Sequence, residues 1–568
     1  MTSRFLRLRL GCVSSSFFAL QLLAPPAHSQ WSHDPHVNNP VCTAAGFQSE
    51  PSIVTDGSGG AIISWVDYRR AVDSADIYAQ RIDAAGAVRW TADGASISTA
   101  GVTLGIPSIS EDGTGGAVVA WEDNRNGAIS DVFAQRIDSA GNTHWGSNGL
   151  LISTGSSFVL SHSPAVAGDG AGGAIVTWRD VRSGSNYYDI FAQRLNPAGD
   201  AQWDVNGMAI CSAEGAQNSP AIVSDGAGGA IISWEDIRSG TNYDIYSQRV
   251  NAAGLVQWVP DGVPVSRATN DQRAPIAALG DGTGGAIFAW NDQRSVTDED
   301  IYAQRIDSAG VTLWDTNGVA ISAAGVDQAF PIIVSDGRGG AIVAWSDDRA
   351  GTYDAFVQRV NSAGTVQWTA DGVEVKSVVS SPEVTIDGTG GAIVTWYKFG
   401  DVYAQHVDSS GILKWDTSGV AISIAAGGQS NPVIVDDGTG SAIIAWTDGR
   451  NGTDGDIYAQ KVGSDGTLGE VTDVLERPVR THGFTLHQNY PNPFNPRTAI
   501  RYELPGSSHV TLAVYDVLGR EVALLVNETQ PAGAHVASFE ATSLSSGAYF
   551  YRLQAGKFID TKRLLLVR

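Results

Sequence analysis

Residues 275–294, PIAALGDGTGGAIFAWNDQR, and residues 300–322, DIYAQRIDSAGVTLWDTNGVAIS, form one copy of the unit that decides the fold. Asp281-Gly282-Thr283-Gly284-Gly285 supplies the positive-φ positions of a tight turn, and the run Ala286-Ile287-Phe288-Ala289-Trp290 behind it is rich in strand formers. These make strands A and B. Asp300 to Ile306 reads as strand C, Asp307-Ser308-Ala309-Gly310 as a second turn, and Val311 to Trp314 as the start of strand D. Gly318, ahead of Val-Ala-Ile-Ser, predicts a bulged or broken strand D. No stretch sustains a 3.6-residue apolar period.

The unit recurs. Its proline stands at Pro51, Pro107, Pro164, Pro220, Pro275, Pro331, Pro382 and Pro432, with spacings of 56, 57, 56, 55, 56, 51 and 50 residues. That length fits one four-stranded propeller blade. Strand B carries eight tryptophans (Trp65, Trp121, Trp178, Trp234, Trp290, Trp345, Trp396, Trp446), whereas strand D carries seven (Trp90, Trp145, Trp203, Trp258, Trp314, Trp368, Trp415). Trp31 alone of the sixteen is left over. Val41 precedes Pro51 by ten residues, as Ile97, Ile210, Val265, Ile321 and Ile422 precede their prolines, and Gln48 matches Gln217, Gln272, Gln328 and Gln429. Residues 31–42 therefore read as a displaced strand D. A ring closes by splitting a unit between its ends, and closure removes unpaired edges. The expected fold is all-β: an eight-bladed β-propeller over residues 30–475, closed by an N-terminal strand, then a linker at 476–483 and a small Ig-like β-sandwich at 484–568.

Composition and charge narrow the function. Of 568 residues 43% are hydrophobic and 17% charged, enough apolar surface for a large core. Between the basic leader and residue 478 the chain holds 24 basic and 54 acidic residues, a net of −30. Such a surface repels phosphate backbones and anionic lipid, so no nucleic-acid partner is expected. Arg4, Arg7 and Arg9, an apolar run to about Leu23, and Ala27-His28-Ser29 read as a signal peptide over residues 1–29. No later run is long enough for a transmembrane helix. Beyond the leader only Cys42 and Cys211 remain, in blades that should keep them apart.

After Glu476 the repeat stops. The segments FTLHQNYPNPFNPRTAIRYELP, VTLAVYDVLGREVALL and SGAYFYRLQAGKFIDTKRLLLVR follow, with period-two alternation in Ile500–Leu504 and in Val510–Tyr515 and a turn at Leu518-Gly519-Arg520. Residues 482–568 closely resemble the type A C-terminal sorting domain of the type IX secretion system of Bacteroidota and related bacteria. The resemblance rests on Tyr490-Pro491-Asn492-Pro493-Phe494-Asn495-Pro496, Tyr515-Asp516-Val517-Leu518-Gly519-Arg520 and Gly547-Ala548-Tyr549-Phe550-Tyr551, in the family's order. It implies passage through the periplasm to the outer surface or the medium, with the secretion machinery as partner.

Chemistry is harder to place. Trp-x-Asp-x-Arg recurs in seven of the eight units, from Asp67/Arg69 to Asp448/Arg450, and a feature repeated so faithfully points to structure. The Gly-rich turns lack phosphate-loop spacing and precede strands. His33 and His36 could ligate a metal, yet His-Asp-Pro-His reads as a polar loop, and no metal or cofactor is expected. No G-x-S-x-G elbow and no S-x-D-x-G-x-T-W box occurs. In a meander the B–C loops and D-to-A connections share one face, and here those segments vary while the other turns do not. Tyr187 and Tyr188, Asn242 and Tyr243, and Tyr353 lie in such loops, where aromatic and amide groups suit a glycan or protein ligand. Lys398 joins them as a candidate, because blade seven replaces the repeated motif with Trp396-Tyr397-Lys398-Phe399 in an acidic ring. Two readings stand: an exported non-catalytic binding or adhesion propeller, or a glycan-degrading enzyme whose carboxylates hide among abundant Asp.

Overall fold

The computed structural model describes residues 31–469 and 485–567, apart from residues 73, 102, 127–129, 155–162, 183–186, 279–283, 377–379, 453, 487–488, 490–491, 493, 495, 505–507, 531–532, 542–543 and 557. The expected signal peptide and linker lie outside the described residues. The chain divides into two compact units, the first ending at Val471.

The first unit is a β-propeller of eight antiparallel four-stranded sheets. Blade 5 shows the plan, with strands Gln272–Ala278, Ala286–Asp292, Asp300–Ile306 and Val319–Ser322 as A to D. Strand B is buried along its whole length in most blades, as in Ala61–Asp67. A strand packed on both faces needs an unbroken apolar run, which is why Ala61-Ile62-Ile63-Ser64-Trp65 does not alternate. The A–B turn is built by its aspartate: Asp56 Oδ1 accepts the amides of Ser58 (2.7 Å) and Gly60 (2.8 Å). Gly60 has no freedom to change, since a Cβ there would lie 2.3 Å from the Ile82 carbonyl. Strand D is broken as expected. Thr312 makes an isolated bridge to Ile306, and pairing resumes at Val319 after Asn317 and Gly318, at φ 65° and 87°.

Blade 8 joins both ends of this unit. Asn39–Cys42 pairs with Asp456–Val462, in the register Asn39 to Ala459, Pro40 to Tyr458 and Cys42 to Ile457. Asn38 locks the junction, its Nδ2 donating to the Ile422 carbonyl (2.8 Å) and its Oδ1 accepting from Arg450 (2.8 Å) and Ser423 (2.9 Å). Trp31 is 2% exposed and belongs to blade 8, but its ring faces away from Trp446. It packs with Trp65, Ile63 and Ile82 of blade 1.

The same arrangement holds around the ring. The apolar core is not one mass but eight seams, each containing the strand-D tryptophan of one blade and the strand-B tryptophan of the next, such as Trp90 with Trp121 and Trp314 with Trp345. Every strand-D indole N–H crosses its seam to a carbonyl in the next C–D turn, from Trp31 to Ala84 (2.8 Å) through Trp415 to Ser464 (3.0 Å). Under the ring lies a turn glycine; a Cβ on Gly310 would meet Trp258 at 2.9 Å.

The Trp-x-Asp-x-Arg motif staples these seams. In blade 4, Asp236 is fully buried and accepts from Trp234 Nε1 (2.8 Å) and from Arg238 (2.6 Å). Arg238 lies 3.8 Å over the Tyr246 ring, donates to the Asp261 carbonyl (2.8 Å), and reaches Cys211 of blade 3 (3.2 Å). Arg69 makes the matching reach to Cys42 (3.3 Å). Both cysteines are free and buried, and burial pushes each thiol up to about 12. In blade 7 Lys398 stands in the place of the aspartate; buried Trp396 Nε1 has no acceptor among the described residues, and neither has Trp178 Nε1 of blade 3, where Asp180 is present.

The second unit packs a three-stranded sheet (Thr485–Leu486, Arg497–Leu504, Gly533–Glu540) with a four-stranded one ordered Glu521–Gln530, Ser508–Tyr515, Gly547–Ala555, Phe558–Leu566. Ile500, Tyr502 and Leu504 point into their shared core, as the alternation requires. Phe494 forms a parallel bridge to Leu566 and caps that edge.

Removing one partner of a buried ion pair leaves the other charged and unsolvated, at a cost of about 3–5 kcal/mol. Arg125→Ala should therefore lower the melting temperature of the propeller, read by calorimetry. Trp31→Ala should cost about 3–5 kcal/mol by opening the blade 8 to blade 1 seam, measured by calorimetry; an unchanged melting temperature would show the ring closed without it.

Candidate functional site

Since the A–B and C–D turns are spent on holding seams together, side chains free to vary collect on the opposite face. There a cleft of about 750 Å³ opens over blades 4 to 6. Thr241 and Asn242 enter from the B–C loop of blade 4, Asn270 and Asp271 from the connection into blade 5. Gln293 and Val296 to Glu299 come from the B–C loop of blade 5, Asp327 and Ala329 from the start of blade 6, and Tyr353 from its B–C loop.

Hydrogen bonds between the loops fix the walls. Asn242 Nδ2 donates to the Asn270 carbonyl (2.8 Å) and to Asp244 (2.9 Å), and Asn270 Nδ2 to the Gln293 carbonyl (3.2 Å). Glu299 accepts from Gln293 Nε2 (2.6 Å) and Asn291 Nδ2 (3.2 Å), and its own amide donates to Asp327 (3.2 Å). Asp271 accepts the Tyr243 amide (2.9 Å) and pairs with Arg273 (2.6 Å). Asp300, next to Glu299 in the chain, is 3% exposed, and burial first, then Asp298 and Asp292, push its carboxyl up to about 6. Burial raises Asp244 to about 6 as well.

The cleft brings together two of the six candidate residues, Asn242 and Tyr353, the latter 43% exposed. Tyr243 stands behind the wall with Arg273 stacked 4.2 Å over its ring. Tyr187 and Tyr188 lie apart in blade 3, where Tyr188 carries Arg179 at 4.6 Å; the loop residues 183–186 before them are outside the described residues. Lys398 is also apart. It ends strand B of blade 7 at a two-residue turn, Phe399-Gly400 at φ 54° and 90°, with Nζ 5.5 Å from the centroid of the Phe399 ring. The carboxylates at 271, 298, 299 and 327 were not singled out from the sequence. Their one signal was the acidic run Asp298-Glu299-Asp300 just before a strand.

A second space, of about 690 Å³, runs along the propeller axis between the A strands. Its wall is apolar (Ile53, Val166, Ile222, Val384) with Glu111 and Asp436 on it, and burial followed by the Asp436 charge raises the Glu111 carboxyl. His33 is engaged by the Leu468 carbonyl (2.5 Å), and among the described residues no three of His, Cys, Asp and Glu converge as metal ligands do.

Residues 488–567 match the family model of the secretion system C-terminal sorting domain. A search of the curated proteins found no match. Among solved structures, the chain is similar to an α-L-arabinanase of Penicillium chrysogenum (13% identity, 56% of this chain and 97% of that one, TM-score 0.33). It is also similar to an endo-arabinase of Bacteroides thetaiotaomicron (15%, 53% and 92%, TM-score 0.29). A third similarity is to PorZ, described as a surface component of the type IX secretion system of Porphyromonas gingivalis (9%, 93% and 82%, TM-score 0.29). From the match over residues 488–567, and the sandwich those residues build, the C-terminal segment belongs to the type IX secretion system C-terminal sorting domains, and the chain is a propeller exported to the cell surface or beyond.

Proposed function

We propose that this is a non-catalytic binding protein, displayed or released by type IX secretion, that takes its ligand in the cleft over blades 4 to 6. The observation carrying this reading is where the chemistry goes. The repeated Asp and Arg side chains are consumed in buried staples such as Asp236–Arg238 and Asp292–Arg294. What remains for a ligand is a polar cleft in which amides, carboxylates and one exposed tyrosine converge, the composition of a recognition site.

The raised Asp300 favours the second reading, a glycoside hydrolase, because a carboxyl near 6 next to other carboxylates is how a general acid is prepared. Against it, Asp244 shows the same rise at the same place in blade 4, and Asp456 rises at the same place in blade 8, so the shift belongs to the repeat. Screening the mature protein on a glycan array alongside hydrolase assays separates the two readings. Retention of intact oligosaccharide supports binding, and turnover lost in Asp300→Asn would replace this reading with the enzyme.

Deleting residues 482–568 should leave a folded propeller that accumulates in the periplasm of its host. Fractionation and blotting test this, and surface display of the truncated chain at the full-length level would contradict it.

A further inference from the structure

The cleft has a charge that its own residues do not balance. Asp271 is neutralised by Arg273 at 2.6 Å. Glu299 takes its bonds from the neutral amides of Gln293 and Asn291, Asp327 from a backbone amide, and Asp298 from the Ser295 hydroxyl. Among the described residues no Lys or Arg lines the space. Three carboxylates therefore face one opening with only neutral donors around them. Behind them Asp300 is 3% exposed, and among the described residues its carboxyl has no hydrogen-bond donor.

The carboxylates are also spread out. Among the described residues no three acidic groups converge as metal ligands do, and carboxylates spread in this way suit positive charges distributed along an extended ligand. The remaining lining favours a sugar backbone over a peptide: amides at Asn242 and Gln293, hydroxyls at Thr241 and Thr297, and the exposed Tyr353 ring, with no deep apolar pocket for a side-chain anchor. Resting on the assignment of this cleft as the ligand site, we infer that it binds an amine-bearing oligosaccharide, whose ammonium groups sit against Asp298, Glu299 and Asp327 while a pyranose face stacks on Tyr353.

The test is a matched pair of ligands on one backbone, a fully deacetylated glucosamine hexamer and its N-acetylated neutral counterpart, measured by calorimetry on the full-length mature protein. The deacetylated hexamer should bind at least about tenfold more tightly, more so at low salt, where the Debye length grows. The double variant Asp298→Asn, Asp327→Asn keeps the shape of the cleft and should abolish that preference, and Tyr353→Ala should weaken both hexamers. Because the whole propeller is acidic, a remote control is needed. Asp83→Asn with Asp307→Asn removes two charges from the C–D turns, where blades 3, 4 and 6 carry Asn196, Asn251 and Asn361 naturally, and should leave the preference intact. Equal affinity for both hexamers, or equal loss in the remote control, would overturn the charge inference and leave the cleft standing. Affinity indifferent to Tyr353→Ala and to both cleft charges would remove the cleft itself as the ligand site. A lysine hexapeptide bound as tightly, with the same dependence on Tyr353, would transfer the assignment from a sugar to a peptide.

Discussion

A carboxylate with no solvent exposure has to be paired, and this propeller is organised around that demand. Asp67, Asp123, Asp180, Asp236, Asp292, Asp347 and Asp448 are all at 0% exposure at the end of strand B. Each is held by the arginine two residues on. The guanidinium then has donors left over, and it uses them on a strand-D carbonyl of its own blade and, at Arg69, Arg125, Arg182, Arg238 and Arg450, on a Ser or Cys of the blade before. One ion pair thus ties three strands in two blades. Its planar fork over an aromatic ring explains why Arg, and not Lys, occupies the position wherever the aspartate is present. Blade 7 shows the converse: without Asp there is no Arg, and the loop shrinks to two residues.

Much of the architecture was legible because it is written as repetition. Proline spacing gave the number of blades, and the odd tryptophan located the closing strand. The assignment of Trp31 to blade 8 is correct, but the sequence could not say which side of that blade its ring would take. Strand membership follows from order along the chain; the partner of a side chain follows from the neighbouring blade, and here that is Trp65 rather than Trp446. The cleft was legible in outline only. Asn242 and Tyr353 stood out by composition, whereas Asp271, Glu299 and Asp327 did not, because aspartate and glutamate occur throughout the repeat and only loop geometry selects these. Tyr188 and Tyr353 look alike in sequence, yet Tyr188 is used under Arg179.

The two ends of the blades divide labour by physical necessity. Turns that must fit an indole over a glycine cannot vary, so the face that carries them is fixed in all eight units. The B–C loops carry no such constraint. Substitutions there cost little stability, which lets a ligand site form in one sector without disturbing the others.

The splitting of blade 8 sets the order in which the molecule can be completed. Asn38 and Gln460, joined by a hydrogen bond of 3.3 Å, are 422 residues apart in the chain. The closing strand is synthesised first and has no partner until nearly the whole propeller exists, so contacts of this kind, which extend to His33 and Leu468, 435 residues apart, form after entropy has been lost elsewhere. Until then strand Asp456–Val462 is a bare edge able to accept a strand from another copy. Concentration, not temperature alone, therefore governs the yield of refolding: dilute chains close on themselves, and crowded ones exchange their first strand for a neighbour's.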